Sequence, residues 1–353
     1  MRRMIDFIRE FKFGRPQQIA ALLLVAFIVL LTCFEILHVR VQAVGIAVDV
    51  GSRYSPPTHG QVLAPILVAL SILRLPMQLR LFLPGLAFGL SLAGALWWVT
   101  RRLYNDFGGY VALVLFCFSL PVIHASAGVV TDVIAAWGLY GLIYTAIGVA
   151  HTLYAPPRKW RPRILLLGVA LGVTAGAYFA AALIGLIFGT AYMLYLAPGR
   201  RKESIGIIAI ACVIASLMLF TFYGFDLRAL AGAWTSKDAW ELHLHPGDLL
   251  VPGPQWWLLG ILTLIALVIY AGWKRARYFG NTAPLLVMTV LFITQHDEAQ
   301  TSIWALPFIF TFIGGIFADL LETHRKRLVA WSLGGALVCY AALATAAVLT
   351  IPK

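Results

Sequence analysis

QVLAPILVALSILRLPMQLR, residues 61–80, is the stretch on which the topology of this chain turns. It is apolar enough to enter a bilayer. It also carries Arg74, Pro76 and Arg80, which suit a helix lying along the membrane surface better than one buried in lipid. The choice sets the parity of every later segment, because one more or one fewer crossing moves each following loop to the other side.

That the solvent is mostly lipid follows from composition. Of 353 residues, 61% are hydrophobic and 12% charged, with a mean hydropathy of +0.87. No soluble domain of this length needs so much apolar surface, so the chain reads as an all-α polytopic integral membrane protein. The net charge of +12 is then a statement about topology rather than about nucleic acid, which is not among the expected partners. Cys33, Cys117, Cys212 and Cys339 lie in four separate apolar runs without CxxC or Cys/His spacing, and are read as packing residues. The start MRRMIDFIREFKFGRPQQ is basic, and the apolar core after it is too long for a secretory signal, so it is read as a retained first span.

Basic loops thread the rest. The first span covers about 18–37 and delivers residues 38–61 to the outside. With 61–80 as an outer interfacial helix, spans follow at about 81–100, 108–126 and 132–152, then a hairpin of two short helices within 164–197. Further spans lie at about 204–224, 255–273, 282–294, 303–319 and 328–350, about 11 in all. This threading places 20 of the 27 Lys and Arg inside, with the N-terminus cytoplasmic and the C-terminus external. If 61–80 spanned, Arg101, Arg102 and every later basic cluster up to HRKR would move outside. The expected location is a bacterial inner membrane. The expected organisation is one membrane domain, 1–353, with residues 18–202 as a module and 203–353 as variable C-terminal helices.

The same threading gathers nine of the fifteen acids at or near the outer face: Glu35, Asp49, Asp132, Asp226, Asp238, Glu241, Asp248, Asp297 and Glu298. Six of the eight histidines join them: His38, His59, His124, His243, His245 and His296. An outward-facing polar site under loops 38–80 and 225–254 is therefore expected. Each piece also has a plainer reading. Asp132 follows Thr131 at a helix start, where a carboxylate favours the positive end of the dipole. His243 and His245 alternate in ELHLHPGD without a third ligand, which suits a solvated loop, and QHDEAQ (295–300) can be only a turn. Trp97, Trp98, Trp256 and Trp257 read as interface anchors. The sequence contains no P-loop, no HExxH and no GxSxG, and no GxGxxG follows a strand pattern. A nucleotide-driven pump or a membrane zinc protease is therefore unsupported.

The order of features resembles the polyprenyl-phosphate-sugar-dependent membrane glycosyltransferases of the C type (GT-C), which include protein O-mannosyltransferases and the lipid A aminoarabinose transferase. The resemblance runs over residues 18–202. It is carried by Asp49 after the first span, PPTHGQVLAPILVALSILRLP, VTRRLYNDFGG, FSLPVIHASAGVVTD, IAAWGLYGLIYTA and the glycine-rich hairpin RILLLGVALGVTAGAYFAAALIGL. ITQHDEAQTSIWALPFIFTFIGGIFADLL is similar to the family's late polar turn before a helix beginning LP. There are departures. The family's Asp-Glu pair reads Asp49-Val50, its Arg-Tyr pair before LP is replaced by Ser302, Ile303 and Trp304, and the hairpin lysine after Thr174 is absent.

The resemblance implies a GT-C-like fold and transfer of a sugar from a polyprenyl-phosphate donor to an outer-face acceptor. It implies Asp49 as general base and Asp132 as the residue orienting the acceptor or a divalent cation, the one cofactor it suggests. Arg53, His59, Arg74, Arg228 and His296 are the candidates for holding the donor phosphate and substrate. No residues form a resident metal site. Expected partners are the polyprenyl-phosphate sugar, membrane lipid and proteins of a membrane complex. Two other readings stand beside it: a non-catalytic subunit of the same fold, and a transporter or lipid flippase.

Overall fold

The computed structural model describes residues 15–38, 60–127, 130–155, 161–236, 240, 253–294, 300–322 and 326–350. Among them the chain is helical and holds no strand. The helices are α1 Arg15–His38, α2 Leu63–Ile72, α3 Met77–Leu103, α4 Asp106–Cys117, α5 Leu120–Ala127, α6 Val130–Thr152, α7 Arg161–Ala177 and α8 Phe179–Leu196. After them come α9 Arg201–Phe222, α10 Leu227–Thr235, α11 Pro254–Gly272, α12 Phe279–Ile293, α13 Gln300–Leu321 and α14 Lys326–Thr350. Eight are long and apolar enough to cross a membrane, nine if α4 and α5 count as one span bent by 59°. The two other expected spans are α7 and α12, of 17 and 15 residues, shorter than a straight bilayer crossing needs. The protein is an all-α, polytopic integral membrane protein.

Burial sorts the bundle. The span on α13 is 89% buried and that on α6 is 72% buried, while those on α9, α11 and α14 are only 22% buried. The first two are the axis; the others present Val213, Leu217, Leu264, Val268 and Val338 outward, as lipid-facing helices do. Small residues let the axis close up. A Cβ on Gly314 of α13 would stand 2.7 Å from the Gly108 carbonyl oxygen of α4, so neither position has room for a side chain. Threonines on the outer helices satisfy themselves by donating to the carbonyl four residues back, as Thr221 does to Leu217 at 3.0 Å and Thr263 to Leu259 at 2.8 Å.

Three departures from the expected segments have local causes. Residues 61–80 are not one helix: α2 ends at Ile72, Arg74 takes a left-handed φ of 51°, and α3 begins at Met77 behind Pro76. Arg80 Nε closes this turn on the Leu75 carbonyl at 2.7 Å. The α2 helix is apolar apart from Ser71, none of its residues is buried, and at 10 residues it is too short to span. The expected span at 108–126 is broken between α4 and α5, where Pro121 bars a continuous ladder. Gln255 of α11 fills the break: its Oε1 accepts from Leu120 N at 3.0 Å and its Nε2 donates to the Phe118 carbonyl at 2.5 Å. The Trp pairs split, with Trp98 and Trp257 exposed and Trp97 and Trp256 packed against the core.

The helix ends form two layers. One collects Arg101, Arg102, Arg163, Arg200, Arg201, Lys202, Lys274, Arg275 and Arg277, and is the basic end. Its acids are tied: Asp106 to Arg101, Glu203 to Arg200 at 3.0 Å, and Glu322 to Arg275 at 3.8 Å. Asp319 accepts from Asn281 Nδ2 at 3.0 Å and from the Tyr278 hydroxyl at 3.4 Å. Pro284 inside α12 has no N–H for the Gly280 carbonyl, and the Tyr104 hydroxyl donates to that oxygen instead, at 2.6 Å.

Candidate functional site

The opposite layer is built where α6 begins, α7 gives way to α8, and α13 enters the bundle. Tyr178 breaks the α7–α8 hairpin with an extended backbone. A short strap, Gly60–Val62, lies across it: Gly60 N donates to the Ala177 carbonyl at 2.9 Å and Val62 N to the Gly176 carbonyl at 3.0 Å. Gly60 has φ +79°, and a Cβ there would stand 2.9 Å from Thr131 Cγ2. Both the backbone conformation and the contact require glycine at this position.

Under the strap stands the first turn of α6. Asp132 is the third helical residue rather than the cap, and it is 1% exposed. Its carboxylate sits at the positive end of the α6 dipole, which offsets part of the cost of burying it. Beside it, Thr131 Oγ1 and the Tyr178 hydroxyl are 3.5 Å apart. The Tyr178 ring packs on Trp304 of α13 with centroids 5.0 Å apart. Trp304 is fully buried, and its indole N–H has no hydrogen-bond partner among the described residues. The layer therefore joins a buried carboxylate, a phenol and an indole donor, contributed by three separate helical segments. Farther along the same end, Phe179, Trp234 and Trp240 form a three-ring cluster, with Phe179 5.2 and 5.7 Å from the two indoles and the indoles 4.6 Å from each other. Burial raises the Tyr223 hydroxyl there up to about 12.

Of the expected site residues, the structure brings Asp132 into this layer. Arg74 stands exposed on the turn between α2 and α3, and Arg228 stands exposed in the first turn of α10. The α10 helix is capped by Asp226, which accepts from Arg228 N at 2.8 Å. Asp49, Arg53, His59 and His296 lie outside the described residues, as do His243 and His245 of ELHLHPGD. Among the described residues no group of three or more His, Cys, Asp or Glu is placed to hold a metal ion. Tyr178 and Trp304 were not foreseen as site residues. Their signal was present in the sequence, since Trp304 occupies the departure before LP and Tyr178 sits in the glycine-rich hairpin.

No family model matches the chain, and no curated protein matches it. Among solved structures it is similar to the crystal structure of the Archaeoglobus fulgidus oligosaccharyltransferase in the apo form, at a TM-score of 0.49 and 12% identity. The overlap covers 83% of this chain and 48% of that one, so this chain spans about half the length of the enzyme it overlaps.

Proposed function

We propose that this protein is a membrane glycosyltransferase that moves a sugar from a polyprenyl-phosphate donor to an acceptor at the Asp132 end of the bundle. The observation that carries the reading is the burial of Asp132. A carboxylate held out of water at a membrane helix end costs several kcal/mol unless it is hydrogen-bonded or paired, and buried ionisable groups in membrane helices mark functional sites. Three of the segments that resemble the GT-C family supply this layer: TD at Thr131–Asp132, the hairpin at Tyr178, and SIWALP at Trp304.

In this reading the acceptor hydroxyl gives its proton to Asp49 as its oxygen bonds to the anomeric carbon. The bond from that carbon to the phosphate oxygen breaks, and polyprenyl phosphate leaves with the electron pair. Asp132 orients the acceptor, or a divalent cation if the reaction takes one. The leaving phosphate needs donors, and the Trp304 indole N–H and Tyr178 hydroxyl join Arg53, His59, Arg74, Arg228 and His296 as candidates for that role. The reaction faces the periplasmic side of a bacterial inner membrane.

The test reconstitutes the full chain in proteoliposomes with polyprenyl-phosphate mannose or polyprenyl-phosphate aminoarabinose and follows release of polyprenyl phosphate. Wild type should turn over one donor, and Asp132→Asn should lower the rate about 1,000-fold, near 4 kcal/mol, with its melting transition retained. Unchanged turnover in Asp132→Asn removes the residue from the mechanism. Binding of donor without turnover by wild type would instead favour a non-catalytic subunit.

A further inference from the structure

At the basic end, far from Asp132, a cavity of about 250 Å³ opens between α3, α6, α8 and α12. Its walls are apolar: Leu103, Tyr144, Ile147, Leu196, Phe279 and Ala283. His151 and Tyr278, both exposed, stand at its mouth. The volume is below the ~300 Å³ of typical small-molecule sites, and it holds a run of about eight methylene-sized groups.

Cations outnumber acids in the segments that form the mouth. Arg102 precedes Leu103 at the end of α3, Arg277 precedes Tyr278 before α12, and Arg201 and Lys202 follow α8. All four are exposed, and none has an ion-pair partner among the described residues. Among the described acids of this end, Asp106, Glu203 and Glu322 are paired with Arg101, Arg200 and Arg275, while Asp319, held by the neutral Asn281 and Tyr278, keeps its charge behind the mouth and offsets one of the four cations. An apolar slot flanked by an excess of exposed cations at the end of the bundle fits one class of ligand.

We propose that this cavity is a specific site for an anionic phospholipid of the leaflet at the basic end. One acyl chain lies along Ile147 and Phe279, and the phosphate is met by Arg102 and Arg277. The site is separate from the Asp132 layer and does not depend on the glycosyltransferase reading. A general excess of positive charge on this side of the membrane explains the arginines without a slot beneath them. The two accounts differ in whether filling the slot matters.

The experiment uses the detergent-solubilised full chain and follows its melting temperature as lipid is added. Dioleoylphosphatidylglycerol should raise it saturably, while dioleoylphosphatidylcholine at the same concentration should not. Ile147→Phe, which fills the slot from α6, should weaken the phosphatidylglycerol effect at least tenfold in apparent affinity. Leu196→Phe from α8 should do the same, so that a folding defect in one variant does not decide the matter. Leu264→Phe on the lipid-facing side of α11 should leave the effect intact. Arg102→Gln with Arg277→Gln should erase the preference for phosphatidylglycerol over phosphatidylcholine. Retention of the full effect in both slot-filling variants overturns the proposal. So does an equal shift with phosphatidylcholine, or with inorganic phosphate alone.

Discussion

The two ends of this bundle hold their carboxylates differently. At the basic end three acids are paired with cations, Asp319 is hydrogen-bonded, and the carbonyl freed by Pro284 is filled by Tyr104. At the other end a carboxylate is buried in the first turn of α6, and the indole N–H of Trp304 is kept dry with no hydrogen-bond partner among the described residues. The contrast teaches that the basic end balances its carboxylates mainly against exposed cations, whereas the other end buries Asp132 in a helix turn; dry indole N–H groups occur at both, at Trp97 and at Trp304.

The comparison can be broken at several points, beginning with the largest effect. Asp132→Asn is expected to act on turnover and not on melting, as set out above. Gln255→Leu should act in the reverse sense, leaving Phe118 C=O and Leu120 N–H buried without partners at the α4–α5 break. A loss of about 3 kcal/mol is expected, read by unfolding in nanodiscs, and a loss under about 0.5 kcal/mol would mean the break is satisfied otherwise.

Tyr104→Phe should cost about 1–2 kcal/mol by orphaning the Gly280 carbonyl. Pro284→Ala restores an N–H to that carbonyl, so in its background the same substitution should cost almost nothing. Additive losses in that cycle would refute the account of Tyr104. Burial also raises the Tyr104 hydroxyl well above its ordinary value of 10.0. The folded state therefore keeps a proton that the unfolded chain gives up, and stability is complete below pH 10 and falls as pH rises beyond it. Tyr104→Phe should flatten part of that alkaline slope. Trp304→Phe is the smallest effect on folding, within about 1 kcal/mol because the lost N–H has no bond to lose, yet it should slow turnover if the indole meets the phosphate.

How far the sequence reaches differs by element. The hairpin within 164–197 was legible because basic flanks at both ends call for a paired return, and α7 and α8 form that hairpin. The burial of Asp132 was only half legible. Thr131–Asp132 reads as a helix start, but the strap at Gly60 that meets Thr131 and the Tyr178 hydroxyl beside it are contacts across the fold that local pattern does not carry. The break at Phe118–Ser119 was overlooked although Pro121 stands beside it, because an apolar run of that length matches one span. What completes the break is Gln255, 137 residues from Phe118, and no periodicity announces such a pairing. Arg74 and Arg228 were chosen for charge and for side of the membrane. Geometry places them on exposed turns, where the same residue type serves a chain reversal and a helix end.

The α4–α5 bend has a consequence for how the protein is made. When this segment leaves the ribosome and enters the bilayer, Phe118 C=O and Leu120 N–H have no partner, because Gln255 has not yet been synthesised. The third crossing is thus born incomplete and must be held by the insertion machinery, or wait at its water-filled margin, until α11 arrives. Chains stalled short of residue 255 should be recognised as unfinished and degraded. Those that pass it should become protease-resistant in a single late step, with α11 acting as the clasp that closes a helix made long before it.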